Sequence, residues 1–197
     1  MTKQDQLNQI AAEIIDRRVC PELADQAKQL VLGEGNPDAD IVLIGEAPGK
    51  KEDELGRPFV GASGRFLNEM LAAAGWSRDE VYVTNIVKYR PPGNRDPKPA
   101  EKQAFWPYLA RQLEIIDPKV VVTLGRHSME FFLPDAKISQ LHGQAVRRQV
   151  VWPDGSTRQW LIVSLYHPAA ALYNGSMRTT LVEDFQQLSS IVDKKAK

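Results

Sequence analysis

The chain has one cysteine, Cys20, in 197 residues. That excludes an internal disulfide framework and a metal site built from several thiolates, and it fits a reducing, cytoplasmic setting. Histidine is scarce as well, with only His127, His142 and His167. Net charge is absent: 25 basic side chains cancel 25 acidic ones, so any nucleic-acid footprint has to be local and nothing points to an anionic membrane. No apolar run approaches the roughly 18 residues of a membrane span. The polar start from Met1 to Asn8 lacks the apolar stretch of a signal peptide. There is no internal repeat, and the only biased segment is a lysine-rich tail at 193–197, expected to be disordered. With 43% hydrophobic residues the chain is long enough for one sizeable core. A single domain over 1–197 is expected, with a lead-in helix within 1–18.

What is present is an alternation of helical and strand-like periods. It predicts an α/β fold, a three-layer α/β/α sandwich around a mainly parallel four-stranded sheet. Amphipathic spacing predicts helices over Asp5 to Arg18 and Leu23 to Leu32. Phe66, Leu67, Met70, Leu71 and Ala74 recur at helical spacing within Gly61 to Gly75, which ends on glycine. Pro99 to Ile116 reads as a long helix with proline in its first turn, Gly125 to Phe132 as a shorter one, and Met177 to Val192 as the last. The strands are Ile41 to Ile44, Val81 to Thr84, Val120 to Leu124 and Leu161 to Leu165. Trp152-Pro153-Asp154-Gly155-Ser156 carries turn chemistry between Gln144 to Val151 and Arg158 to Leu165, so a hairpin is expected there.

Glu46, Asn85 and His167 each follow the end of one of these branched runs. In an open parallel sheet, ligands bind in the crevice outside the carboxyl ends of the strands, so three such groups can converge on one small molecule. His127, opening a helix, and His142, before a glycine, read as partly exposed and as a turn residue. The loop Lys88 to Lys98 starts three residues after Asn85 and holds four cations, Lys88, Arg90, Arg95 and Lys98, against one carboxylate. Three prolines and a glycine keep it out of helix and central strand, so its charges are expected on the surface, next to the crevice, where they can meet phosphates.

The segment Gly45-Glu46-Ala47-Pro48-Gly49 is followed by Glu52-Asp53, Gly56-Arg57-Pro58-Phe59-Val60-Gly61 and Ser63-Gly64. Together they resemble the first signature of the family 4 uracil-DNA glycosylases. Val81 to Lys88 with Arg90-Pro91-Pro92-Gly93-Asn94-Arg95 resembles the next, and His167-Pro168-Ala169 the last. The likeness runs in order from about Cys20 to Leu188. It implies a monomeric DNA-repair hydrolase of base excision repair that flips uracil out of single- or double-stranded DNA and cuts its N-glycosidic bond. Its only implied partner is uracil-containing DNA.

Residue by residue, the resemblance implies that Phe59 stacks on the uracil and that the Asn85 amide reads its N3 and O4 edge. Backbone amides of the turn Ala47, Pro48 and Gly49 are expected to contact its oxygens. His167 would stabilise the departing uracil anion, and Glu46 would position water or favour the sugar cation. Ser63, Gly64, Lys88, Arg90, Asn94, Arg95 and Arg178 are expected to contact DNA. One of Tyr166, Leu172, Tyr173 and Met177 is expected to wedge into the gap left by the base.

The family also implies a four-iron, four-sulfur cluster on four cysteines, but the matching positions here are Cys20, Leu23, Tyr89 and Phe105. One thiolate cannot hold such a cluster. The chain therefore resembles a cluster-free branch, with no cofactor and no metal expected, in which side-chain packing takes over the stapling. Two other functions stay open: a glycosylase for hypoxanthine or xanthine, and a module that binds uracil-DNA without turnover. Pro91 to Glu101 has no histidine of the kind that traps a related branch on its product, which favours turnover.

Overall fold

The computed structural model describes residues 1–195. The chain opens with α1 (Lys3–Asp16), capped by a reciprocal pair in which the Thr2 hydroxyl accepts from the Asp5 amide and the Asp5 carboxylate from the Thr2 amide. Then follow α2 (Pro21–Ala24), β1 (Glu34–Gly35), β2 (Ile41–Gly45), α3 (Lys50–Leu55), α4 (Ala62–Ala73) and β3 (Tyr82–Asn85). A short 3₁₀ turn at Pro92–Asn94 leads to α5 (Pro99–Ile116), β4 (Val120–Leu124), α6 (Arg126–Phe132) and α7 (Ile138–Leu141). The hairpin β5 (Ala145–Val151) and β6 (Thr157–Leu165) precedes α8 (Ala170–Tyr173) and α9 (Ser176–Lys195).

The sheet has six strands in the order β1-β3-β2-β4-β6-β5. The expected parallel strands form its centre, β3-β2-β4-β6. Two antiparallel edges extend the expected four: β1 on β3, and β5 on β6 through the hairpin that the Pro-Asp-Gly turn foretold. Alternation along the strands divides the core in two. Val42, Ile44, Tyr82, Val121 and Ile162 face a layer with Leu7, Ile10, Phe105, Leu109 and Met129 from α1, α5 and α6. Ile41, Leu43, Val83, Val122 and Val163 face Phe66, Leu67, Met70, Leu181, Phe185 and Leu188 from α4 and α9. These are the three layers.

The expected helix Leu23 to Leu32 stops after one turn. The backbone amides of Lys28 and Gln29 donate instead to the buried Asp53 carboxylate, at 2.8 and 3.4 Å, and a distant acceptor replaces the helical carbonyls. At the other end α9 continues to Lys195, into the segment expected as a tail; Ala196 and Lys197 lie outside the described residues. No helix among the described residues is long and apolar enough to cross a membrane.

Candidate active site

From β2 the chain passes to β3 on one side and later to β4 on the other, so the strand order reverses at β2. A crevice opens outside the carboxyl ends there. It holds a cavity of about 340 Å³, the scale of a small-molecule site. Of the residues expected around the base, Ala47, Gly49, Phe59, Asn85 and His167 line the wall and Pro48 does not; Ser63 and Asn94, expected to contact DNA, line it as well. Glu52 and Ala169 line it too and were not singled out from the sequence.

Asn85 ends β3 beside Gly45, the last residue of β2, and is 2% exposed. No hydrogen bond among the described residues uses its side-chain amide, so both ends remain for a ligand. Gly45 is there because nothing larger fits: a Cβ would lie 2.4 Å from Asn85 Oδ1 and 2.7 Å from Phe59 Cζ. Phe59 has φ 52°, the left-handed region that non-glycine residues avoid at a cost of roughly 1–3 kcal/mol. Its ring stacks on the His167 imidazole, centroids 5.7 Å apart and planes 29° apart. The first turn of α4 passes so close that a Cβ on Gly64 would lie 1.7 Å from the Phe59 carbonyl oxygen.

His167 sits two residues past the end of β6, and the Ala169 backbone N–H donates to its Nδ1 at 3.1 Å. Nδ1 is therefore the acceptor, and the neutral ring carries its proton on Nε2. Burial pushes its pKa down to about 4, against a smaller opposing pull from the Glu52 carboxylate. At neutral pH the site holds an uncharged imidazole with one N–H to give.

Glu46 departs from expectation. It does not line the cavity, because it follows Gly45 by one residue and the strand period turns it toward the α5 and α6 layer. Its Oε1 is buried without a hydrogen bond, 3.9 Å from both Lys102 Nζ and His127 Nδ1. Burial raises its pKa, opposed by His127 and Lys102. His127 Nε2 in turn lies 3.2 Å from Asp96 Oδ2. Glu46, Asp96 and His127 offer three ligating atoms within 4.8 Å of one another, with the Lys102 ammonium competing for the same carboxylate.

The basic loop needs a second correction. Lys88 is fully buried, not on the surface. Its ammonium donates to Thr84 Oγ1 and the Asn85 carbonyl, both at 2.7 Å, and burial holds its pKa well below the ordinary lysine value. Arg95 is engaged by both oxygens of the buried Glu101 carboxylate, at 2.9 and 2.6 Å. Arg90 Nε donates to Asn94 Oδ1 at 2.7 Å. Arg178 pairs with Glu69 and stacks over the Phe66 ring at 4.5 Å. Leu172 and Tyr173, at the end of α8, are 48% and 91% exposed. His142 is held by the largely buried Asp184, Nδ1 to Oδ2 2.8 Å.

Cys20, Leu23, Tyr89 and Phe105 belong to one buried cluster, the two rings meeting edge to face at 5.9 Å. The donor set does not fit a four-thiolate cluster. Only one thiol is present, its pKa pushed up to about 12 by burial, and its partners are a leucine and two aromatic rings.

The family model for the uracil DNA glycosylase superfamily matches residues 32–188. The chain belongs to that superfamily. Among its relatives, the type-4 uracil-DNA glycosylase of Sulfurisphaera tokodaii is 42% identical over 193 residues, covering 95% of this chain and 85% of the relative. That of Archaeoglobus fulgidus is 40% identical, covering 97% and 96%. A Thermotoga maritima enzyme of the same name is 36% identical, covering 99% and 100%.

Proposed function

We propose that this superfamily member excises uracil from DNA by hydrolysis, leaving an abasic site, without a metal or iron–sulfur cofactor. The observation that carries the reading is the convergence on one cavity of a stacking ring, an unspent amide and a neutral histidine donor. The base leaves the stack and enters the cavity, since its glycosidic bond is out of reach inside a duplex. Phe59 supports its face. The Asn85 amide accepts from uracil N3–H and donates to O4. Cytosine presents the reverse pattern at those atoms and would leave buried groups unpaired, which a polar pocket rejects by large factors.

As the bond between C1′ and N1 breaks, the electron pair stays with the uracil and the sugar becomes cationic. His167 Nε2–H donates to uracil O2, where negative charge collects. Because the ring is neutral, it stabilises that anion without carrying a charge that would first have to be buried. Water then adds to C1′, and its proton passes to the uracil anion or to solvent, leaving free uracil and the abasic sugar. The Glu46 carboxylate, behind the Ala47 to Gly49 turn and opposite Lys102 and His127, favours the sugar cation by its charge rather than by touching the substrate. Leu172 and Tyr173, projecting just after the His167 turn, fill the gap left by the flipped base. Ser63, Gly64, Arg90, Asn94, Arg95 and Arg178 border the path of the DNA strand, and Arg95 and Arg178 have to exchange their carboxylate partners to meet phosphate. The chain acts as a monomer in the cytoplasm.

Incubation with oligonucleotides carrying one uracil, hypoxanthine or xanthine, followed by alkaline cleavage of abasic sites, tests this. Many turnovers on uracil alone are expected. Preferential cleavage at hypoxanthine or xanthine would overturn the base assignment, and tight retention of the uracil strand without strand breaks would overturn hydrolysis.

A further inference from the structure

The loop that carries Phe59 is tied down residue by residue. Arg57 pairs with Glu34 through two hydrogen bonds of 2.5 and 3.0 Å. The Pro58 carbonyl accepts from Arg78 Nη2 at 2.6 Å, across 20 residues of sequence. On the far side of the ring, the backbone N–H groups of Val60 and Gly61 both donate to Glu52 Oε1 at 2.9 Å. Phe59 lies between these tethers at φ 52°, with its carbonyl against Gly64. A residue in that region persists only where its surroundings over-determine it. Arg78 is half-buried, its Nε without a partner, and burial lowers its pKa. A cation kept in that position at such a cost needs a compensating task. Its Nη1 also donates to Asn68 Oδ1, at 3.4 Å, but the shorter bond, 2.6 Å, goes to the Pro58 carbonyl.

We propose that Arg78 and Glu52 are positioning residues for Phe59: the guanidinium on the Pro58 carbonyl and the carboxylate on the Val60 and Gly61 amides clamp the ring against which the extruded base stacks. The proposal rests on the reading of Phe59 as the stacking ring. Neither residue touches the reacting atoms in this role. Arg78 acts through a carbonyl on one side of the ring and Glu52 through two amides on the other, so the clamp sets how much of the stacking surface is ready when the base arrives.

The test is a double-mutant cycle on single-turnover uracil excision from a single-stranded oligonucleotide, with thermal melts to confirm folding. Phe59→Ala and Arg78→Met should each slow excision by about tenfold or more. If Arg78 works through the ring, Arg78→Met should cost less than about twofold in the Phe59→Ala background. An equal loss in both backgrounds, or no loss in the wild-type background, would overturn the proposal. Should Arg78→Met fail to fold, the Glu52 pair decides. Glu52→Gln keeps an oxygen facing the two amides and should excise at least about fivefold faster than Glu52→Ala. Equal rates would overturn the clamp in favour of a role for the charge. A Phe59→Ala variant as fast as wild type would refute the stacking reading itself, which the single variant shows without the cycle.

Discussion

Around Cys20, Leu23, Tyr89 and Phe105 the large side chains are buried against one another, whereas at the strand ends stand a buried asparagine amide, a partly buried neutral histidine and a ring on a strained backbone. Both regions hold a non-glycine residue at positive φ, Cys20 at 59° and Phe59 at 52°. They differ in what is left unsatisfied. The first region spends its side chains on packing and joins α2, the loop after β3 and α5. The second leaves the Asn85 side-chain amide without a protein partner among the described residues, which costs stability and fits the proposed function.

Substitutions should separate the two. Phe105→Ala should be the largest break, lowering stability by about 4 kcal/mol through lost burial and a cavity. It should leave the excision rate of the folded fraction nearly unchanged, checked by denaturant melts alongside rate measurements. His167→Ala should do the opposite. Loss of one donor to a developing anion costs about 10²–10³ in rate, and stability should hold or rise, because a desolvated imidazole disappears.

The pH dependence sharpens the same contrast. The folded pKa of His167 is depressed to about 4 from 6.5, so between those values the unfolded chain binds a proton that the folded one does not. Stability is therefore lost as pH falls from about 6.5 to about 4. The loss is about 3 kcal/mol for a shift of this size and should be absent in His167→Ala, measured by paired melts across that window. The acid limb of kcat/KM should likewise fall near 4 and not near 6.5. The smallest effect on rate is expected from Asn85→Asp, which should narrow the preference for uracil over cytosine by about tenfold or more. A carboxylate buried there without a partner also lowers stability, so the rates are compared at matched folded concentration. Unchanged discrimination in paired excision assays would show that another group reads the base.

The fold was legible in the sequence where a local pattern was also the final one. Branched runs ending near Gly45, Asn85 and Leu165 became parallel strands, and the Pro-Asp-Gly turn became the hairpin. That Asn85, Phe59 and His167 meet at one cavity follows from the strand ends and the motifs that carry them. What failed depended on distant partners. The helix after Leu23 gave way to Asp53, 25 residues beyond Lys28. Lys88 reads as a surface charge, because nothing local reveals that Thr84 Oγ1 and the Asn85 carbonyl supply acceptors inside the protein. Glu46 shares a strand end with the site, but the alternation that places Gly45 against Asn85 turns its neighbour to the opposite layer. Glu52 was hidden for the converse reason: it is quoted in the motif beside Asp53, yet its bonds to Val60 and Gly61 exist only once α3 folds back on the loop.

The most direct test of the account is the release of free uracil from a single-uracil oligonucleotide by wild type and His167→Ala, at matched folded concentration and neutral pH. The account predicts many uracils per wild-type molecule and a variant slower by at least about 10². A folded wild-type protein that releases none, or a variant as fast as wild type, would contradict it.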